Sequence, residues 1–334
     1  MRIAMVNIPL RLPADESRWI TVPPQGYGGI QWVVAHLVAG LLELGHEVFL
    51  LGAPGSPGDH PGLTVVPVAK PEEMVSWLRT ARVDMVHDHS DGKVAPVPGT
   101  GFVSTHHLTT RPVHRSGCVY LSRAQRAHCG GGDAAPVVPI PVDLGRYPFA
   151  PVKEDFLLFL GRVSPHKGAL EAAAFARAAG SRLVLAGPSW EPAYLDRVLT
   201  EYGQVVEVAG EVGGAERARL LASARALMVL SQPAAGPWGG IWCEPGATVV
   251  SEAAAGGTPV LATANGCLPE IVPPVGALVG YGTGFDPAGA KKCLAQLPSP
   301  ARVRAEAAAR WDHVGIAERY VGIYRRVLAG ESWT

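Results

Sequence analysis

Two cations five residues apart frame the first stretch that can do chemistry, Phe159-Leu160-Gly161-Arg162-Val163-Ser164-Pro165-His166-Lys167-Gly168. An apolar strand ends in Gly161, Arg162 and Lys167 flank a turn, and a helix-forming run follows. Ligands of parallel α/β sheets sit beyond the C-terminal ends of the strands. An arginine and a lysine placed there hold two anionic oxygens, each charge-assisted bond contributing about 1.5–3 kcal/mol. Alone, the same turn is equally an ordinary solvated strand end. The second stretch, Glu244-Pro245-Gly246-Ala247-Thr248-Val249-Val250-Ser251-Glu252, opens a helix. Gly246 frees the backbone at the turn, so the N–H groups of Ala247 and Thr248 can point at a phosphate with the helix dipole behind them. Glu252, two turns on, can accept both hydroxyls of a ribose, and Glu244 can accept from sugar hydroxyls. Two glutamates eight residues apart are, by themselves, commonplace.

Absent motifs narrow the chemistry. The chain has no GxGxxG, its nearest run being Gly26-Tyr27-Gly28-Gly29, and no GxxxxGK[ST], so dinucleotide redox and P-loop hydrolysis recede. There is no GxSxG elbow and no Asp-x-Asp pair to bridge a diphosphate through a divalent metal. A bound diphosphate is then neutralised by protein groups, and no metal or other cofactor is expected. His87 and His89, two apart on a strand, suit a metal but lack a third ligand; a structural histidine network is the alternative.

The elements that must position these residues alternate from end to end, short β-rich runs with Ala/Leu-rich helical ones, the mark of an α/β protein with parallel sheets. Ile3–Ile8 and Glu47–Leu51 read as strands around a helix at Gln31–Leu44, with Gly45 closing it. A helix at Glu72–Thr80 and strands at Met85–Val86, Gly101–Ser104 and Cys118–Leu121 continue the pattern. From Pro136 to Pro151 five prolines without periodicity form a linker. A second alternation runs through strands at Asp155–Leu160, Arg182–Ala186, Val205–Val208, Ala226–Leu230 and Pro259–Ala262. Its helices read as Gly168–Ala179, Pro192–Tyr202, Gly214–Ala222 and Thr248–Ala255. Each half reads as its own doubly wound sheet, and two cores imply a cleft between them. The tail Val314–Leu328 is amphipathic, on its own a surface helix of the second domain.

Lysine plus arginine equal aspartate plus glutamate at 29 each, which leaves no net field to hold nucleic acid or an anionic bilayer; the expected partner is a small molecule. No run of eighteen apolar residues suggests a membrane span, and five cysteines without a CxxC pair read as free thiols, so the chain is expected in the cytosol. The segment Pro9–Gln25 is longer than a βα connection requires. It is either a loop without fixed structure or a grip for an acceptor, with Trp19 as a stacking face. Trp238 and Trp242, among glycines just before Glu244, pose the same choice and lean to sugar contact.

Glu244-Pro245 followed by Glu252-Ala253-Ala254-Ala255-Gly256-Gly257-Thr258-Pro259-Val260, with Leu268-Pro269-Glu270-Ile271-Val272 beyond, resembles the retaining family-four glycosyltransferases of GT-B fold (glycosyl transferases group 1). Their hallmark is Glu-Pro-Phe-Gly-x-x-x-x-Glu-Ala-x-Ala-x-Gly-x-Pro-Val. Gly161-Arg162 with Lys167-Gly168 is similar to that family's diphosphate clamp, and Tyr27-Gly28-Gly29 to its N-terminal glycine loop. Asp84-Met85-Val86-His87-Asp88-His89 and Ser104-Thr105-His106-His107 match its Asp-x-x-His-x-His and Thr-x-His. Gly246-Ala247 stand where the family has Phe-Gly, and Pro141 where its linker has glycine.

The resemblance implies two Rossmann-like domains facing across a cleft: residues 1–145 for the acceptor, 146–311 for the nucleotide sugar, and a tail, 312–334, crossing back to the first. It implies that His107, or His106 if the match slips by one, meets the transferred sugar, and that Gly28 and Gly29 join Gly161, Arg162, Lys167, Glu244, Gly246, Ala247, Thr248 and Glu252 around the donor. The implied mechanism is front-face substitution without a protein nucleophile or metal. A UDP-sugar is the first expected donor and a small soluble molecule the acceptor, as in compact actinomycete enzymes building oligosaccharide antibiotics. A sugar-nucleotide epimerase or hydrolase, or a non-catalytic nucleotide-sugar sensor, would use the same diphosphate site.

Overall fold

In the computed structural model, which describes residues 1–13, 15–237 and 239–334, the chain divides into two compact units, Met1–Asp143 with Trp311–Thr334, and Leu144–Arg310. The first unit runs β1 (Arg2–Asn7), β2 (Arg11–Leu12), β3 (Asp15–Trp19), α1 (Gly29–Glu43), β4 (Glu47–Gly52) and β5 (Leu63–Pro67). It continues through α2 (Pro71–Thr80), β6 (Met85–His89), β7 (Gly101–Thr105), β8 (Cys118–Val119) and α3 (Arg123–His128). Six of its strands form a parallel sheet in the order β5-β4-β1-β6-β7-β8. Because side chains alternate across a sheet, β1 feeds two cores at once. Ile3 and Met5 pack with Leu37 and Leu41 of α1, and Ala4 and Val6 with Met74 and Leu78 of α2.

The second unit runs β9 (Phe156–Leu160), α4 (Ala169–Ala179), β10 (Arg182–Ala186), α5 (Pro192–Tyr202), β11 (Val206–Gly210), α6 (Gly214–Ser223) and β12 (Ala226–Val229). There follow α7 (Thr248–Ala255), β13 (Val260–Thr263), α8 (Leu268–Ile271), β14 (Gly276–Val279), α9 (Pro287–Ala295) and α10 (Pro300–Trp311). Its six strands are also parallel, in the order β11-β10-β9-β12-β13-β14. Alanine-rich α4 presents mostly methyl groups to that sheet, so helix and strands pack closely around Leu157, Phe159, Leu183 and Leu185.

Amphipathicity alone reads the tail as a surface helix of the second domain, whereas the family resemblance implies that it crosses back to the first. Helix α11 (His313–Leu328) belongs to the first unit, where Ile316, Tyr320, Ile323 and Tyr324 enter the core beside Met5 and Leu41. Gly40 permits the approach of α1: a Cβ there would stand 2.4 Å from the His313 carbonyl oxygen. The segment after β1 contains an antiparallel hairpin, β2 with β3, its residues mostly exposed. Strand β6 runs three residues beyond the expected Met85–Val86. Polar His87, Asp88 and His89 are wholly buried there because side-chain partners replace water, a compensation invisible to hydrophobic patterning. Among the described residues no helix is long and apolar enough to cross a membrane.

Candidate active site

At the C-terminal ends of the second sheet the two cations and the first glutamate come together. Strand β9 delivers Gly161-Arg162, a short 3-10 turn, Pro165–Lys167, carries the lysine, and Gly168 opens α4 in the left-handed conformation. Lys167 Nζ donates to both oxygens of Glu244, at 2.9 and 2.8 Å. Ser231 Oγ (2.7 Å) and Trp242 Nε1 (3.0 Å) also donate to Glu244 Oε2, and the Glu244 amide donates to Asn265 Oδ1 at 2.7 Å. The carboxylate is 4% exposed. Burial pulls its pKa upward, yet Lys167 and the Ser231 and Trp242 donors outweigh that, and the net shift is downward. Glu244 is therefore an ionised, rigidly held acceptor. The Lys167 ammonium, with two of its three protons committed, has one left for an anionic oxygen.

Trp242 forms part of this frame: it is buried, lies 4.3 Å under Lys167 Nζ, and packs on His166 with ring centroids 4.8 Å apart. Burial and the neighbouring cations push His166 down to about 4, so no further positive charge sits there at neutral pH. Its indole serves Glu244; Trp238 lies outside the described residues. The Arg162 guanidinium stacks 4.4 Å over Trp190, which follows β10. Gly246, Ala247 and Thr248 form the turn into α7, where Ala247 adopts φ 51 and ψ 67 and no side chain caps the helix. The first N–H groups of α7 are thus available to an anion.

Glu252 stands apart from the other expected donor groups. It is fully buried inside α7; Tyr147 Oη donates to Oε1 at 2.9 Å and Arg217 Nη2 to Oε2. Both oxygens thus already serve protein donors. Lys153 ties the same helix from its other end, donating to the carbonyls of Gly256 and Ala222.

At the corresponding edge of the first sheet, β6 and β7 present histidines. His107 is 7% exposed, its Nε2 lies 2.8 Å from His89 Nδ1, and its amide donates to Asp91 Oδ1 at 3.3 Å. Burial, then His89, depresses His107 to about 3 and keeps it neutral. His106 is committed elsewhere: its Nε2 lies 2.7 Å from the Thr110 carbonyl and its Nδ1 3.6 Å from Asp91. His87 bridges Tyr324 Oη and Thr105 Oγ1, both at 2.7 Å, and Thr105 in turn meets Tyr320 Oη at 2.9 Å. Burial holds His87 at about 3. Among the described residues no three His, Cys, Asp or Glu side chains are grouped to hold a metal ion. Gly28 and Gly29 open α1, with Gly28 at φ 155 and a Cβ there only 2.9 Å from Ile20 and Pro24. Trp19 ends β3 with the Arg11 guanidinium 4.0 Å over its ring.

Ser231, Asn265, Trp190, Arg217 and Tyr147 complete these arrangements and escaped the sequence reading. Each is single, unpatterned and distant in sequence from its partner, so only the fold brings it in.

Residues 147–281 match the family described as glycosyl transferases group 1. The crystal structure of AviGT4, a glycosyltransferase involved in avilamycin A biosynthesis, superposes with a TM-score of 0.97 at 66% identity, over 100% of this chain and 99% of that one. Anabaena Alr3699/HepE in complex with UDP and glucose superposes at 0.68 with 16% identity, over 96% and 98%. Sucrose-phosphate synthase from Thermosynechococcus elongatus superposes at 0.68 with 16% identity, over 99% and 100%. The last two share the fold alone. No curated protein is significantly similar to the chain.

Proposed function

The chain belongs to the glycosyl transferases group 1 family and is a glycosyltransferase of GT-B-like fold; from that premise we propose that it moves a sugar from UDP, with retention and without a metal, onto a small acceptor in the assembly of an oligosaccharide antibiotic. The pathway rests on AviGT4, whose sequence this chain shares at 66% identity. The observation that carries the donor site is Lys167 paired through both oxygens to Glu244, beside the uncapped start of α7.

In this reading the diphosphate lies against Lys167, Arg162 and the first N–H groups of α7, which neutralise it as a metal would elsewhere. Glu244 accepts from hydroxyls of the sugar. As the bond from C1 to the diphosphate oxygen breaks, charge grows on the leaving group, where the two cations stabilise it more than in the ground state. The same oxygen takes the acceptor's proton while the acceptor oxygen bonds to C1 on that face, so configuration is retained. His107, neutral, is read as a contact of the transferred sugar, and Trp19 as the stacking face for an acceptor. The cysteines, none joined in a disulfide, suit a cytosolic enzyme.

Glu252 fits less simply, since both its oxygens serve Tyr147 and Arg217. Each carboxylate oxygen has a further lone pair, so a ribose hydroxyl would join these donors and not replace them.

Calorimetric titration of UDP, GDP and ADP, with EDTA throughout, tests the proposal in wild type and Lys167→Ala. UDP should bind best, survive chelation and lose about 10- to 100-fold in affinity in the variant, the equivalent of one charge-assisted bond. Binding that needs a divalent ion, or that Lys167→Ala leaves untouched, would overturn it.

A further inference from the structure

The His89–His107 pair carries more information than its distance. Its Nδ1–Nε2 separation of 2.8 Å is a hydrogen bond holding one proton, and burial disfavours a charge on either ring. Each ring therefore carries a single proton, and two arrangements are open. If the shared proton belongs to His107 Nε2, the proton of His89 must sit on its own Nε2. That atom is buried and has no hydrogen-bond partner among the described residues. If it belongs to His89 Nδ1, the partnerless Nε2 of His89 is a bare lone pair, and the proton of His107 moves to Nδ1. Orphaned buried N–H groups are rarer than under-satisfied acceptors, so the second arrangement is favoured.

We infer that His89 is a positioning residue that holds His107 in the tautomer protonated at Nδ1, so that His107 meets the transferred sugar as a neutral hydrogen-bond donor to a hydroxyl oxygen. The functional half rests on the proposed reading of His107 as sugar-facing; the tautomer does not. The framework around the pair is built to keep it. His87 packs against His89 with ring centroids 4.2 Å apart and planes tilted by 40°, and is itself pinned at both nitrogens by Tyr324 of α11 and Thr105 of β7. The His107 amide is tied to Asp91, whose left-handed backbone, φ 55, turns the loop after β6 toward it. The consequence is a choice between two roles. A bare Nδ1 would offer a lone pair to an oxocarbenium-like centre, whereas Nδ1–H binds a hydroxyl and orients the ring that bears it.

Nitrogen-15 labelling of histidine in the full-length protein, read by long-range proton–nitrogen correlation, assigns the protonated nitrogen of each imidazole without substrate or turnover. His107→Ala and His89→Asn identify the two signals by their loss. The wild type should show Nδ1 protonated on both rings. In His89→Asp, whose carboxylate can only accept, Nε2 of His107 should become protonated. In His89→Asn, whose amide N–H takes the place of Nδ1–H, the proton should stay on Nδ1. Protonation of His107 at Nε2 in the wild type, or an Nε2 left bare in His89→Asp, would overturn the inference. Should His89→Asp fail to fold, the wild-type and His89→Asn spectra decide. Unchanged sugar transfer by His107→Ala would remove the sugar-facing reading alone and leave the tautomer assignment standing.

Discussion

The two units have one topology and opposite electrostatics. Each is a six-stranded parallel sheet whose strands, numbered within the sheet, run 3-2-1-4-5-6, and each places its polar groups at the C-terminal edge. In the first unit the histidines there are neutral: His87, His89 and His107 are buried, and burial drives their pKa values down. In the second they are ionised and paired, Lys167 with Glu244 and Arg217 with Glu252. The shared architecture therefore selects where chemistry happens, while the side chains select its kind. Fixed charge suits a diphosphate; neutral donors suit a sugar hydroxyl.

The largest effect expected from breaking this contrast is at Arg217. Removing its guanidinium in Arg217→Met strips the fully buried Glu252 of its cationic donor and leaves it the Tyr147 hydroxyl at 2.9 Å. An uncompensated buried carboxylate costs about 3–5 kcal/mol, so the midpoint of urea unfolding should fall sharply. A small cost would mean that the second unit's buried charge pair is not part of its framework.

Acid should act on the other side of the comparison. A histidine with its folded pKa below its unfolded one takes up protons in the unfolded state first. Stability is therefore complete above about pH 6.5 and lost as pH falls toward the folded value. For His87 and His107, both held at about 3, the loss approaches about 1.4 kcal/mol per pH unit for each below pH 6.5. His166 of the second unit, at about 4, contributes in the same direction but alone. Amide hydrogen exchange between pH 7 and 5 should thus show β6 and β7 losing protection before β9 and β12. Equal loss in both sheets would erase the distinction.

Much of this was legible in the sequence because it is local. The strand-turn-helix around Arg162 and Lys167, and the pair Glu244 and Glu252 on one helix entry, are patterns of spacing. The core strands announce themselves by apolar runs. What was not legible is what distance in sequence hides. That Ser231 and Asn265 hold Glu244, that Arg217 and Tyr147 claim Glu252, and that Tyr320 and Tyr324 lead to His87 all depend on tertiary contact. The tail's apolar face was visible in its periodicity, but which unit receives it came only from the family resemblance; Gly40, the residue that admits it against α1, looks like an ordinary helix weakness until His313 is placed beside it. Strand β6 was cut short because buried polar residues break the hydrophobic pattern on which strand reading depends.

The smallest effect tests the turn where this chain departs from the Phe-Gly of the family pattern it resembles. Ala247 sits at φ 51, a left-handed conformation that costs a residue with a Cβ about 1–2 kcal/mol. Ala247→Gly relieves that cost but gives the unfolded chain more freedom, worth about 0.4–1 kcal/mol in the opposite direction. The balance is a gain of about 0.5–1 kcal/mol, read as a higher urea midpoint at unchanged slope. UDP affinity should move little, since the N–H groups at the start of α7 keep their direction. A gain in stability paired with a marked loss of UDP binding would mean instead that the strain at Ala247 is stored for the ligand, and that the charged edge of the second unit is tuned by its backbone as well as by its ions.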